Sequence, residues 1–361
     1  MQRSVTPPSP RRRALLLGLA GALAARAFGA AAQTPPRPPI ADMHSHLTMF
    51  RKTLKPIDMR RQMEDSGATL IAWALVDDSR WTRVGPNGIF QVGSPDEGEL
   101  WSYFQAKVVP YDAQLRSWNI PKALTRADVD AALGGEPHVV MASESANFLE
   151  GRPDRVAAAH AMGLRHMQLV HYIKSPLGDL QTEIPAHAGM PKVALNVMAE
   201  CKRLGVLVDL AHCTPDFVDA ALAQSDAAMI WSHSWISPYG GSWRNRAYVA
   251  RSLSPAQAKK IAAHGGVVGL WALRVRSDRA YPVYSIGSYA DEIMRMVDLL
   301  GPRAVAFGTD MEGTGDDPVM SSYTELREVV NLLARRGLGD ATLHDVCCGN
   351  YARVLKSAMS S

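Results

Sequence analysis

The sequence predicts an α/β fold, a (β/α)8 TIM barrel forming a single domain with an elaborated loop insertion after the second strand, and three observations point there. Eight short apolar runs alternate with amphipathic stretches along most of the 361 residues. No Gly-rich phosphate loop follows the first run, which argues against a doubly wound open sheet. Five of the runs finish at, or just before, residues able to bind a metal or move a proton: His44/His46, Glu144, His212, His233 and Asp310. In a barrel the carboxyl ends of the strands converge on one rim, so a pattern spread over the chain becomes one place in space.

In chain order, residues 1–40 hold six Arg and no Asp or Glu. Arg11-Arg12-Arg13, the apolar run Ala14–Ala25 and the small residues Gly29 to Ala32 read as an export signal peptide over 1–32. Arg12-Arg13-Ala14-Leu15-Leu16 resembles a twin-arginine signal. The run is shorter than the roughly 20 residues a membrane-spanning helix needs. The expectation is therefore an exported, periplasmic protein without stable membrane insertion after cleavage, with a retained anchor as the alternative. Cleavage near Ala32 would take five Arg from a formal charge of +4 and leave about −1, so no nucleic-acid surface is expected. A Pro-rich linker (33–39) leads into the barrel domain, 40–361.

The first strand, Ile40–His44, ends in Asp42-Met43-His44-Ser45-His46. Side chains alternate along a strand, so His44 and His46 share one face and can grip a metal ion from one side. The second run is Leu70–Val76, followed by an insertion rich in Gly, Pro and Trp from Asp77 to about Leu124. It reads as a long loop over one end of the barrel, with a helix near Glu97–Ala106. The runs Val139–Ser143 and His166–His171 lead to Glu144 and His171, and Val206–His212, Ala228–His233, Gly266–Trp271 and Ala304–Asp310 complete the eight. Helical stretches lie at Pro56–Asp65, Asp154–Met162, Lys192–Leu204, Pro215–Ala223 and Pro255–Ala263. Thr214-Pro215 and Ser254-Pro255 are helix-opening signals. His160, His166, His187 and His264 read as structural, on helical faces or in loops. Cys201, Cys213, Cys347 and Cys348 lack C-x-x-C spacing and read as core thiols, with pairing in an oxidising compartment left open.

Three or four His with one or two carboxylates suit zinc or a similar divalent ion. They exceed what one open catalytic centre needs, so two ions per chain are expected. Glu144 would bridge, His44 and His46 would hold one ion, and His212 and His233 the other. Asp310 is placed to carry a proton from the attacking water to the leaving amine, unless it caps a helix or supports a histidine. His171 stabilises a developing oxyanion or is structural. In the loop Trp243-Arg244-Asn245-Arg246 an Arg can pair with the carboxylate of a small-molecule substrate, and the local sequence does not separate Arg244 from Arg246.

From about Ala41 to the C-terminus, and in order, the chain resembles the membrane dipeptidase (renal dipeptidase) family of zinc peptidases among the amidohydrolase-type barrels. The resemblance rests on Asp42-Met43-His44-Ser45-His46, Ser143-Glu144-Ser145, Leu164-Arg165-His166-Met167-Gln168-Leu169-Val170-His171, Leu207-Val208-Asp209-Leu210-Ala211-His212 and Ile230-Trp231-Ser232-His233-Ser234. Arg244-Asn245, Gly308-Thr309-Asp310-Met311-Glu312-Gly313 and Gly349-Asn350-Tyr351-Ala352-Arg353-Val354 continue it. It implies a (β/α)8 barrel, two zinc ions and hydrolysis of dipeptides, some with a C-terminal D-residue, by a metal-bridging hydroxide. It further implies that His171 steadies the tetrahedral intermediate, Asp310 handles the proton and Arg244 binds the substrate carboxylate. The chain departs from the family where His46 replaces the usual Asp of His-x-Asp, where Glu144-Ser145-Ala146 replaces Glu-Gly-Gly, and after His171, where the Asn-rich continuation is missing. An imidazole at 46 leaves a bound metal pair one charge more positive, which acidifies bound water and bears on metal preference. The expected function is an exported two-zinc dipeptidase. The alternatives are a metal-dependent hydrolase of another amide, lactam or lactone, and a barrel that binds without catalysis, which Glu144 and Asp310 together disfavour. A homodimer stays open.

Overall fold

Among the described residues ten strands follow one another as β1 (Ile40–Ser45), β2 (Ala68–Leu75), β3 (Thr82–Gly85), β4 (Gly88–Gln91), β5 (His138–Ser143), β6 (Leu164–Gln168), β7 (Leu207–Asp209), β8 (Ile230–Ser234), β9 (Val267–Leu270) and β10 (Val305–Phe307). Eight of them close a parallel barrel in the order β1-β10-β9-β8-β7-β6-β5-β2, and β3 and β4 form a separate antiparallel hairpin. The structure is a computed structural model and describes residues 37–359 apart from 51–56, 86–87, 188, 246, 276–280 and 314–316. The expected signal peptide lies outside the described residues, as does Arg246. The barrel belongs to a unit running Pro38–Ser361. Among the described residues no helix is long and apolar enough to cross a membrane.

Period-2 alternation sorts the strand residues into two cores. Ala41, Met43, Leu70, Ala72, Ala74, Val140, Ala142, Leu207, Ile230, Val267 and Ala306 belong to one buried cluster, which also takes in Tyr351, Val354 and Leu355 of the C-terminal helix Asn350–Ala358. That helix is tied to the barrel by the Asn350 amide, which donates to Val305 O at 2.8 Å, and by Tyr351 Oη, 3.2 Å from His166 Nδ1. Ile40, Ile71, Trp73, Leu75, Val139 and Met141 point the other way and pack in the larger cluster with helix residues such as Met59, Met63 and Leu326. Closure depends on Asp42, whose carboxylate accepts from Thr309 N at 3.0 Å, Thr309 Oγ1 at 2.5 Å and Tyr323 Oη at 3.1 Å. One buried acid thereby joins β1 to the chain just beyond β10. Gly308 is needed there, because a Cβ would strike the Ser232 carbonyl.

All eight expected barrel strands are present, with ends shifted by a few residues. The insertion is more ordered than the sequence indicates. Its helix is Glu99–Trp118, 20 residues rather than the stretch expected near Glu97–Ala106, and it runs through Pro110. Buried Leu100, Phe104, Val108, Tyr111 and Leu115 recur at helical spacing, while Pro110 lies on the exposed side, where the backbone carbonyl it leaves unpaired can meet water. The hairpin β3–β4 is a further element the composition did not signal. The helix expected from Pro56 starts at Met59, because the Asp58 side chain accepts from Arg61 N and caps it. His166 lies on β6, not on a helix or loop, and the four Cys are buried and free.

Candidate metal centre

His44 is on β1, with His46 one residue past its end. Glu144 follows β5, His212 lies three residues past β7, and His233 is on β8. All five are almost fully buried, and they form two groups that share one member: His44, His46 and Glu144; and Glu144, His212 and His233. His44 Nε2 and His46 Nε2 are 3.1 Å apart, and His212 Nε2 and His233 Nε2 are 3.3 Å apart. Glu144 stands between the pairs: Oε2 is 3.0 Å from His46 Nε2, and Oε1 is 3.5, 3.2 and 3.4 Å from the Nε2 atoms of His44, His212 and His233. Four ring nitrogens thus converge on one carboxylate.

Backbone geometry contributes to this convergence. His212 (φ 70°) and Asp310 (φ 54°) both adopt the left-handed conformation, which costs a non-glycine residue on the order of 1 kcal/mol and re-aims its side chain. Asp310 N donates to His44 O at 2.9 Å, so the end of the barrel's last strand is pinned to the end of its first. Asp310 Oδ2 accepts from Trp271 Nε1 at 2.8 Å. Its Oδ1 is buried without a hydrogen bond and lies 3.3 Å from His46 Nε2. Gly313 admits this approach, since a Cβ at 313 would collide with Asp310 Oδ1 and His46.

The charges of the cluster are set by the same contacts. Burial alone would push His46 down, but Glu144 and Asp310 raise it to about 10. His171 is likewise pushed down by burial and raised, also to about 10, by Asp78 and Glu144. Burial lowers His212 well below its ordinary value, with Arg251 adding to it, and burial together with His44 lowers His233 to about 4. Burial would raise Glu144, yet His171, His44 and His46 hold it well below the ordinary carboxylate range. The chain therefore keeps Glu144 ionised and the His212 and His233 rings neutral, whereas His46 has to give up its proton before its ring can hold a cation. His46 Nδ1 faces Ala74 O at 2.8 Å and His233 Nδ1 faces Ser232 Oγ at 2.8 Å, contacts that turn each Nε2 inward. The residues fit a metal: His44, His46 and Glu144 could hold an ion, and so could Glu144, His212 and His233.

His171 joins the same site, its Nε2 3.2 Å from Glu144 Oε1. Arg244 does not: it is exposed, with its guanidinium 4.4 Å from the Trp243 ring centre. The arginine at the site is Arg251, 1% exposed, with Nη2 3.2 Å from His233 Nε2 and Nη1 3.4 Å from Tyr172 Oη. Among the described residues no carboxylate pairs with it, and its Nε has no hydrogen bond. Arg251 carries no strand-end signal; it lies in a 3-10 turn shortly before the helix Pro255–Ala263. Asp78 was also missed, although it sits near a strand end, two residues past the run Leu70–Val76. Its carboxylate lies 2.8 and 3.0 Å from His171 Nδ1 and accepts from Tyr172 N at 3.1 Å. Beside it burial, with Asp78, raises Asp77 to about 7, and Asp77 accepts from Ser145 Oγ and from Phe148 N at 2.8 Å.

Comparison with known proteins places these residues in context. The profile of the membrane dipeptidase family (peptidase family M19) matches residues 104–360. Dipeptidase verJ of Clonostachys rogersoniana is 25% identical over 222 residues, covering 59% of this chain and 53% of that protein. The chain spans about half the length of the curated relatives it matches. Among solved structures, dipeptidase AC, a family M19 metallopeptidase, superposes with a TM-score of 0.74 at 19% identity, covering 90% of this chain and 100% of that one. A metallopeptidase from Rhodobacter sphaeroides, solved with a phosphinate mimic of the dipeptide L-Ala-D-Ala, gives 0.73 at 18% identity and covers 89% and 99%.

Proposed function

Because this chain belongs to the membrane dipeptidase family, we propose that it is a two-zinc dipeptidase that hydrolyses free dipeptides, including those with a C-terminal D-residue. The observation that carries this is Arg251. A guanidinium buried beside His233 without a carboxylate partner is costly unless an anion joins it, and the free carboxylate of a dipeptide is that anion. Arg251 thus takes the role first expected of Arg244. Two zinc ions held by His44, His46, Glu144, His212 and His233 would supply Lewis acidity and an acidified water. The chain's own groups do the rest. Arg251 fixes the carboxylate and so places the peptide bond over Glu144. His171, oriented through Nδ1 by Asp78, presents its Nε2 to the carbonyl oxygen as that oxygen gains charge. Asp310, anchored through Oδ2 by Trp271, takes a proton on Oδ1 from the attacking water and passes it to the amine as the C–N bond breaks.

Export of the protein and removal of residues 1–32 belong to the same proposal, supported by the basic, acid-free N-terminus. A second reading, hydrolysis of another amide, lactam or lactone, is favoured by His46, an imidazole where the family's pattern has a carboxylate. The test is metal analysis together with a hydrolysis panel of L,L- and L,D-dipeptides, N-blocked dipeptides and simple lactones, with and without chelator. Expected are close to two zinc per chain and chelator-sensitive cleavage of free dipeptides. Cleavage of lactones alone selects the second reading, and absence of bound metal after gentle purification overturns the site.

A further inference from the structure

A cavity of about 580 Å³ adjoins the metal centre, and the hairpin β3–β4 and the loop around Trp243 supply part of its wall. Its inner lining is shared with the site. The Tyr172 ring stands 4.4 Å from that of His171 and 5.0 Å from that of His212. The Tyr248 ring is 5.7 Å from that of Trp271, the residue that holds Asp310. Phe90 and Trp243 line the same space. Phe90 is 45% exposed, a large apolar ring left partly uncovered beside an open volume.

Size and chemistry both argue against a substrate of two small residues. Cavities of roughly 300–1,000 Å³ enclose drug-sized ligands, so a dialanine would leave most of this one to water. Four aromatic side chains line it, and rings gain most from another ring packed edge-on or offset against them. Among the described lining residues Glu183 is, apart from tyrosines, the only ionisable one, and among the described residues no cation pairs with it. An unpaired carboxylate there penalises an acidic side chain by like-charge repulsion.

We propose that this cavity is a side-chain subsite that selects dipeptides carrying a bulky aromatic residue and rejects those carrying an acidic one. The proposal rests on the dipeptidase reading above. Phe90 and Trp243 select through contact with the side chain, at a distance from the reacting bond.

The test uses the zinc-loaded full chain and kcat/KM for Ala-Ala and for phenylalanyl, lysyl and glutamyl dipeptides in both residue orders. Aromatic dipeptides should exceed Ala-Ala by about tenfold, mainly through KM, and glutamyl dipeptides should fall below it. Phe90→Ala and Trp243→Ala should each lower the aromatic value by about tenfold, with Ala-Ala within about twofold and an unchanged melting temperature. Glu183→Gln should raise glutamyl dipeptides several-fold. Equal values for Ala-Ala and aromatic dipeptides, a lead for lysyl dipeptides, or equal losses on every substrate would overturn the subsite and leave the dipeptidase reading standing. If no dipeptide is cleaved, that reading fails, and quenching of tryptophan fluorescence by Phe-Ala against Ala-Ala then decides the subsite alone. Tighter binding of Phe-Ala that is lost in Phe90→Ala upholds it, and equal affinities overturn it.

Discussion

Four of the buried carboxylates at or near the barrel rim divide into two kinds. Asp42 and Asp209 have their oxygens engaged by the fold: Asp209 accepts from Ala211 N at 2.9 Å and Ser232 N at 3.0 Å, and it faces His166 Nε2 at 3.3 Å. Glu144 and Asp310 do not. Glu144 faces ring nitrogens on every side, and Asp310 leaves Oδ1 without a hydrogen bond. A buried carboxylate satisfied by backbone and hydroxyl donors is committed to the fold, whereas one that faces ring nitrogens or keeps an oxygen without a hydrogen bond can serve a ligand at some expense of stability. The two kinds differ in position and in partners: Asp42 and Asp209 lie within β1 and β7 and take backbone and hydroxyl donors, whereas Glu144 and Asp310 lie past the ends of β5 and β10 and face histidine rings.

The sharpest break in this comparison is Glu144→Ala. Loss of the shared ligand should lower zinc affinity by more than the roughly 100-fold typical of supporting partners and take turnover to background, with the fold intact. Retention of two zinc per chain in dialysis followed by metal analysis would remove Glu144 from the centre. Asp310→Asn comes next. It keeps shape and the Trp271 contact but loses the proton carrier, so turnover should fall about 10²–10⁴-fold with metal still bound. Unchanged turnover assigns Asp310 to the structural kind. Arg251→Ala should lower kcat/KM on free dipeptides by about 10–100-fold and much less on their C-terminal amides, as expected for a lost charge-assisted contact. Arg244→Ala should stay within about twofold on both, and the reverse ranking would restore Arg244.

The smallest effect belongs to the structural side and is read in stability. Burial would raise Asp209, but its contact with His166 and the other hydrogen bonds hold it at about 2. A folded-state value below the unfolded one contributes stability that is fully present above about pH 4 and is lost as pH falls through about 2. The shift corresponds to about 2 kcal/mol. Asp209→Asn should lower the unfolding free energy by about that amount near neutrality and flatten the acid limb between pH 4 and 2. An unchanged pH profile in denaturant titrations would show that Asp209 contributes nothing through its charge.

Much of this was legible along the chain. The eight strands follow from apolar runs of strand length with helical stretches between them. His44, His46, Glu144, His212, His233 and Asp310 were marked by position because each closes such a run. The same rule, applied to Leu70–Val76, marks Asp77 and Asp78; the contact of Asp78 with His171 was overlooked because the pair opens a long insertion. The extent of the helix Glu99–Trp118 was hidden by Pro110, which signals a break unless its neighbours are known to be buried and its own face exposed.

The sequence by itself determined the barrel, the rim and the donor types, because period-2 alternation and run length act locally and repeat eight times. Only the tertiary structure decided that Arg251 and not Arg244 stands at the centre, and that Asp310 is open while Asp209 is closed. Each of those depends on groups far apart in sequence meeting within about one hydrogen-bond length. The path of an irregular loop across the rim sets that distance, and no spacing along the chain encodes it.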